Sequence, residues 1–193
     1  MGGFVAAENS FDDLDGEDAY RFIDAADLQS GVVLMSLVIR PVRPGDRAAL
    51  MAMLLEFSNY LQAIDPEPSP QDDWAGPAEM QRCVALSFEA DPVVATVIAE
   101  QGGRPVGYLA WHMGIFEIYK ALFVAGLFVT NAARGGGVGR ALMEEARRIA
   151  TARGAGYVAW MVWRRNPAAL AFYERLGAER YDDNMQMIWR IGA

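Results

Sequence analysis

The sequence carries one cysteine, Cys83, one histidine, His112, and no run approaching eighteen consecutive apolar residues. A single thiol excludes an intrachain disulfide and reads as a small core residue on a helix. The shortness of the apolar runs excludes a membrane-spanning helix. The N-terminus lacks the basic segment that opens a secretory signal, so the default compartment is a reducing cytoplasm. Positive charge is scarce as well: 17 basic residues face 25 acidic ones, for a formal net charge of −8. A nucleic-acid binder normally carries a basic face, which argues against that class of partner. Internal repeats and low-complexity tracts are also missing.

What is present suffices for one domain with a sizeable core, since 53% of the 193 residues are hydrophobic. The acids are unevenly placed. Glu8, Asp12, Asp13, Asp15, Glu17, Asp18, Asp24 and Asp27 against Arg21 give residues 1–30 a net charge of −7, leaving the remainder near neutral at −1. Residues 1–34 therefore read as an acidic N-terminal extension, and 35–193 as the domain proper. Leu28 and Val32-Val33-Leu34 are apolar enough to dock on the domain or on a neighbouring subunit, which leaves a homodimer open.

Periodicity outlines the domain. Val38 to Val42 reads as a strand, and Asp46 as the cap of a helix over about 47–62 with Leu50, Leu54, Phe57 and Leu61 at helical spacing. The proline-rich stretch 63–77 is a loop, followed by a helix over 77–88 carrying Met80, Cys83, Val84 and Leu86. Strands Val93–Glu100 and Val106–Met113 flank Gln101-Gly102-Gly103-Arg104-Pro105, a hairpin signal. Ala121 to Val129 is a nearly unbroken apolar strand. Past a glycine-rich loop, a helix turns Val138, Leu142, Ala146 and Ile149 inward, pairs Glu144 with Arg148 outward, and stops at Gly154. Tyr157 to Trp163 is apolar throughout, so both its faces are expected to be covered. Met185 to Ile191 is a closing strand.

The loop carries the chemistry. In Arg134-Gly135-Gly136-Gly137-Val138-Gly139-Arg140 an apolar strand enters a basic, glycine-dense turn that opens directly into a helix. Glycines allow several backbone N–H groups to converge on one point. The first helical turn adds unpaired donors and the positive end of its dipole. Such a pocket suits a diphosphate. A Walker loop needs a lysine after the glycines, and none follows. The dinucleotide fingerprint fails because its last glycine position falls on Arg140 or Leu142. The pattern that fits is R-x-x-G-x-G, on Arg134, Gly137 and Gly139.

About thirty residues later comes Asn166-Pro167-Ala168-Ala169-Leu170-Ala171-Phe172-Tyr173-Glu174-Arg175-Leu176-Gly177. Asn166 suits an N-cap, Pro167 the first helical position, and Gly177 the left-handed residue past the end. Ala169, Phe172 and Leu176 form an inward stripe. By itself this makes Tyr173 a half-buried packing aromatic. The loop together with N-x-x-A-x-x-F-Y-x-x-x-G, in this order and separation, resembles the GNAT superfamily of N-acetyltransferases over about residues 37–191.

The resemblance implies an α/β (α+β) fold: a mixed, mostly antiparallel central sheet flanked by helices, with the domain's fourth and fifth strands splayed. It implies acetyl-CoA as co-substrate, no metal, and direct transfer of the acetyl group to a primary amine. The diphosphate would lie on Arg134, Gly135, Gly136, Gly137, Val138, Gly139 and Arg140, and Asn166 would touch the CoA arm. Backbone groups of Leu127, Phe128 and Val129 would bind the pantetheine and the acetyl carbonyl, and Tyr173 would protonate the departing thiolate.

One departure stands out. An alkylamine with a pKa near 10.4 is neutral about once in 2,500 molecules at pH 7, a cost of roughly 4–5 kcal/mol that a base must offset. Many family members place an acid just before the L-F-V segment. Here Ala125 and Gly126 stand there, so the role falls to Glu117, with Glu100 and His112 behind it. Asp65, Glu67, Asp72, Asp73, Asp182 and Asp183, with Tyr60, Trp74 and Trp111, give acidic and aromatic cleft walls that suit a small cationic amine. A protein N-terminus or lysine is the alternative acceptor. A non-catalytic acyl-CoA sensor or interaction module is the alternative class.

Overall fold

The computed structural model describes residues 4–6, 20–24, 37–64 and 77–181, and the chain divides into two compact units, Met1–Met161 and Val162–Ala193. The first unit is built on one seven-stranded sheet whose spatial order is its chain order. Its strands are β1 (Phe4–Ala6), β2 (Tyr20–Asp24), β3 (Leu37–Pro41), β4 (Ala95–Gln101), β5 (Arg104–Phe116), β6 (Tyr119–Val129) and β7 (Tyr157–Trp160). Helices α1 (Arg47–Ile64), α2 (Pro77–Ala85) and α3 (Val138–Ala152) complete it. All neighbours pair antiparallel except β6 and β7, which run parallel because the chain returns between them through α3. Two short strands thus fall within the segment expected as an extension, and β2 pairs with β3 along Tyr20↔Ile39 to Phe22↔Leu37.

Helices cover both faces. Leu50 and Met53 of α1 and Val84 of α2 bury against Ile98, Tyr108 and Phe128 of the sheet, with Leu54 and Phe57 beside them. Gly107 neighbours Tyr108 and so faces the other way. A Cβ there would meet the Phe128 carbonyl oxygen at 2.8 Å and Leu142 Cδ1 at 3.3 Å, so glycine lets β5, β6 and α3 close up. On α3 the expected stripe of Val138, Leu142, Ala146 and Ile149 is buried throughout. Each large member contributes about 1.5–3 kcal/mol. Its C-terminus ends as the sequence suggests, with Gly154 at φ 67° and the Gly154 and Ala155 amides closing on Thr151 and Ala150.

Several local expectations are corrected. Asp46 does not cap α1: its carboxylate is buried, accepts the Arg43 amide, and takes a bidentate pair from Arg40 Nη1 and Nη2 at 2.7 and 2.8 Å. Cys83 lies on α2 but on its exposed side, because Met80 and Val84 occupy the inward positions of that short helix. The expected Glu144–Arg148 pair is replaced by two pairs at i, i+3. Glu145 is buried and draws Arg148 onto itself at 2.8 and 2.6 Å, leaving Glu144 to Arg147. β5 and β6 extend past their expected ends until only Glu117 and Ile118 remain as the turn. β7 stops at Trp160, and Tyr157, on the last of the described strands in the sheet order, is 45% exposed.

The second unit contains α4 (Pro167–Arg175). Asn166 Oδ1 accepts the Ala169 amide at 3.1 Å, and Pro167 takes the first turn. At the other end Gly177 sits at φ 81°, with its amide on Glu174 and that of Ala178 on Tyr173. Ala169, Phe172 and Leu176 are half-buried. Of the loop expected over 63–77, Ala63 and Ile64 instead close α1 and Pro77 opens α2, and its remaining residues 65–76, the strand expected over 185–191 and the segment 28–34 lie outside the described residues. No described helix is long and apolar enough to cross a membrane.

Candidate functional site

The site begins where β6 loses its parallel partner. β7 pairs with β6 only from Ala121↔Tyr157 to Val124↔Trp160. Beyond Val124 the strand continues to Val129 beside β5 alone among the described residues. The separation coincides with an irregularity in the β5–β6 ladder: Trp111 pairs with Val124 and Ala110 with Gly126, so Ala125 is the extra residue of a bulge. A bulge bends its strand and sharpens the local twist. Gly126 follows, and a Cβ on it would lie 3.3 Å from the Tyr108 ring. Leu127, Phe128 and Val129 thus form a strand end whose outward backbone groups face no described strand. Phe128 is buried, while Leu127 and Val129 are half-buried.

From Val129 the chain makes a 3-10 turn over Asn131–Ala133, extends at Arg134 (φ −66°, ψ 150°), and enters the left-handed region at Gly135 and Gly137, φ 80° and 82°. Only glycine adopts that pair of conformations without strain. Gly137 is the N-cap of α3, and its carbonyl accepts the Ala141 amide at 3.0 Å. The amides of Gly135 to Arg140 donate to no acceptor among the described residues. Six consecutive N–H groups without an acceptor among the described residues, at the positive end of a fifteen-residue helix with no acid in its first turn, make an anion-binding nest. Arg140 is exposed beside it.

Arg134 is held by three contacts within the first unit. Its Nε donates to the Val129 carbonyl at 3.0 Å, and its guanidinium lies 4.7 Å from the centre of the Tyr60 ring and 5.6 Å from that of Phe128. Glu56, one helical turn before Tyr60, accepts the Asn131 amide on Oε1 at 2.9 Å. Sequence reasoning gave Tyr60 only a place in an acceptor wall and missed Glu56 altogether. An acid on the half-buried flank of a helix looks like ordinary solvated charge, and only the fold brings it to residue 131.

The candidate bases are dispersed. Glu117 occupies the β5–β6 turn at φ 55°, at the start of β6, whereas the nest follows its end. The intervening eleven-residue strand spans roughly 36 Å, so the structure does not bring Glu117 to the loop. Glu100 is bound to the buried Arg40, which also carries Asp46. His112 stacks on Phe123 with centroids 5.4 Å apart and approaches the Met113 carbonyl at 3.2 Å. Of the expected wall residues, Asp65, Glu67, Asp72, Asp73, Trp74, Asp182 and Asp183 lie outside the described residues. Trp111 is buried, with Arg153 over its ring at 4.9 Å.

Asn166 and Tyr173 belong to the second unit. Asn166 is buried. Burial pushes the Tyr173 phenol up to about 12, so it keeps its proton at neutral pH. No group of three or more His, Cys, Asp or Glu side chains able to hold a metal occurs among the described residues.

Residues 56–178 match the model of the acetyltransferase (GNAT) family. The fold is similar to that of an integron cassette protein from the mobile metagenome of V. cholerae, at 20% identity over 80% of this chain and 92% of that one, with a TM-score of 0.65. It is similar to a possible acetyltransferase from Clostridium difficile 630, at 16% identity, 81% and 99% coverage and a TM-score of 0.64. An aminoglycoside N-acetyltransferase in complex with CoA shares the fold at 17% identity, 80% and 95% coverage and a TM-score of 0.61. No curated protein matches the chain in sequence.

Proposed function

Since the chain belongs to the GNAT acetyltransferase family, we propose that it transfers an acetyl group from acetyl-CoA directly to the nitrogen of a small primary amine. The observation that carries this reading is the uninterrupted run from the end of β6, whose outer edge faces no described strand, into six amides without an acceptor among the described residues at the start of α3. The thioester supplies an activated acyl carbon. Amides of Gly135 to Arg140 bind the diphosphate, with Arg140 adding charge at the rim. Backbone groups of Leu127 to Val129 orient the pantetheine and acetyl carbonyl, and a strand N–H stabilises the oxyanion that forms when the amine attacks. Tyr173, kept protonated by its burial, donates its proton to the departing thiolate. Asn166 steadies the helix that presents Tyr173 and contacts the CoA arm.

A cationic amine as acceptor is supported by the acidic composition of segments 65–73 and 182–183. Ala125 and Gly126 cannot take a proton, and Glu117 lies at the far end of β6. The reaction therefore draws on the neutral fraction of the amine, and the proton that the nitrogen sheds after attack passes to the bulk buffer. The same observations favour a second reading, an acyl-CoA-binding module without turnover.

Release of CoA thiol from acetyl-CoA across an amine panel tests the proposal. Turnover is expected with at least one small amine, falling about 10²-fold or more in Tyr173→Phe. Equal rates in that variant would remove the acid role. CoA binding without turnover on any amine would select the second reading.

A further inference from the structure

We infer that α1 is part of the donor-binding apparatus: Glu56 and Tyr60 hold the loop from Asn131 to Gly137 in its anion-binding shape, and Arg134 is a positioning residue. The inference rests on the acyl-CoA reading of the nest, but the contacts it concerns are already made in the free chain.

Glu56 and Tyr60 are four residues apart on α1 and so project from the same flank. Each grips one end of the turn that precedes the glycines. The Glu56 carboxylate takes the Asn131 amide at 2.9 Å, where the chain leaves β6. The Tyr60 face receives the Arg134 guanidinium at 4.7 Å, immediately before Gly135. Arg134 is fixed further by its Nε bond to Val129 and by the Phe128 ring at 5.6 Å. A side chain committed to a backbone carbonyl and two aromatic faces is oriented by the protein, and it points the next amides rather than acting as a loose surface charge.

The segment needs such a grip. Gly135, Gly136 and Gly137 lose more conformational freedom on ordering than any other residues, so an untethered loop would bind an anion weakly. Ordering it beforehand raises affinity without any new contact to the ligand. The tether also joins both substrates mechanically, because the helix that holds the donor loop is one expected to wall the acceptor cleft.

The test uses the full chain carrying Glu56→Ala, Glu56→Gln, Tyr60→Leu or Tyr60→Phe. Amide hydrogen exchange at Asn131, Ala133 and Arg134, whose amides are hydrogen-bonded in the free chain, is read without ligand, and CoA affinity is read by calorimetry. Glu56→Ala and Tyr60→Leu are expected to speed exchange and weaken CoA about fivefold to tenfold at unchanged Tm. Glu56→Gln keeps a carbonyl acceptor and Tyr60→Phe keeps the ring, so both stay within about twofold of wild type. Exchange in Glu56→Ala and Tyr60→Leu identical to wild type would overturn the tether, whatever CoA does. Faster exchange in a chain that never binds CoA would uphold the tether and remove the donor reading instead. Arg134→Ala separates its two roles. A positioning residue leaves the salt dependence of CoA affinity unchanged, whereas a flattened dependence would make Arg134 a charge on the diphosphate and overturn its assignment.

Discussion

At the scale of single residues, the most consequential side chain is Tyr173, and its environment sets the pH behaviour of the proposed reaction. Burial disfavours the phenolate and pushes the group up to about 12. At pH 10 about one such phenol in a hundred is ionised, against one in two for an ordinary tyrosine. An alkylamine acceptor meanwhile gains neutral form as pH rises toward its own value near 10.4. The rate at saturating acetyl-CoA and subsaturating amine is therefore expected to climb from pH 7 to 10 with no falling limb. A descent beginning near pH 9, measured by thiol release in constant-ionic-strength buffers, would show that the acid is another group. The helix that carries Asn166 and Tyr173 was legible in the sequence because an N-cap, a proline and a glycine stop mark it from within a dozen residues. Glu56 was not, since its partner Asn131 is 75 positions away and nothing local distinguishes it from a solvated acid.

At the scale of elements, the glycine loop makes a sharper prediction than its composition alone, because its glycines are not equivalent. Gly135 has open space around a built Cβ but sits at φ 80°. An alanine there is opposed by the backbone alone, at about 1–2 kcal/mol. Gly136 has no positive φ, and its built Cβ meets only the Ala133 carbonyl at an ordinary 3.5 Å. Gly135→Ala is expected to weaken CoA binding about tenfold, by misdirecting the nest amides, whereas Gly136→Ala stays within about twofold. Equal effects, measured by calorimetry, would mean that the loop reshapes around its ligand and that the conformation described here is not the binding one. Most elements were readable from period and punctuation, α3 above all, with its buried stripe and Gly154 stop. The bulge at Ala125 was not readable. It arises from the offset between two paired strands, and Ala125-Gly126 shows in the sequence only as a missing acid.

At the scale of the whole molecule, the mixed, mostly antiparallel sheet was legible through the family resemblance, whereas the pairing of β2 with β3 and the ionic cluster at the start of α1 were not. Asp46 looked like a helix cap because an acid before a helix usually is one. The fold instead turns it inward onto Arg40, whose other partner, Glu100, comes from β4. This cluster joins the end of β3, the turn into α1 and β4, so its loss reaches beyond one element. The Arg40 and Asp46 side chains are 8% and 10% exposed. Removing one partner from a buried pair costs about 3–5 kcal/mol where the other charge is left unpaired, and Arg40 keeps Glu100, which places the loss of Asp46 toward the lower end of that range. Asp46→Asn is accordingly expected to lower the urea midpoint strongly, well beyond the effect of breaking the exposed Glu79–Arg82 pair, which is worth about 0–1 kcal/mol. The pH dependence has a definite sign. The Arg40 hydrogen bonds hold the Asp46 carboxyl below its ordinary value of 3.8, and the Arg43 amide adds to them. A group depressed on folding contributes fully above its unfolded value and loses that contribution as pH falls through the folded one. The stability gap between wild type and Asp46→Asn should thus be constant from pH 5 to 8 and shrink below about 3.8. A gap that persisted undiminished at pH 2 in urea titrations would mean that Asp46 stabilises the fold by packing, with the charge on Arg40 answered by Glu100 alone.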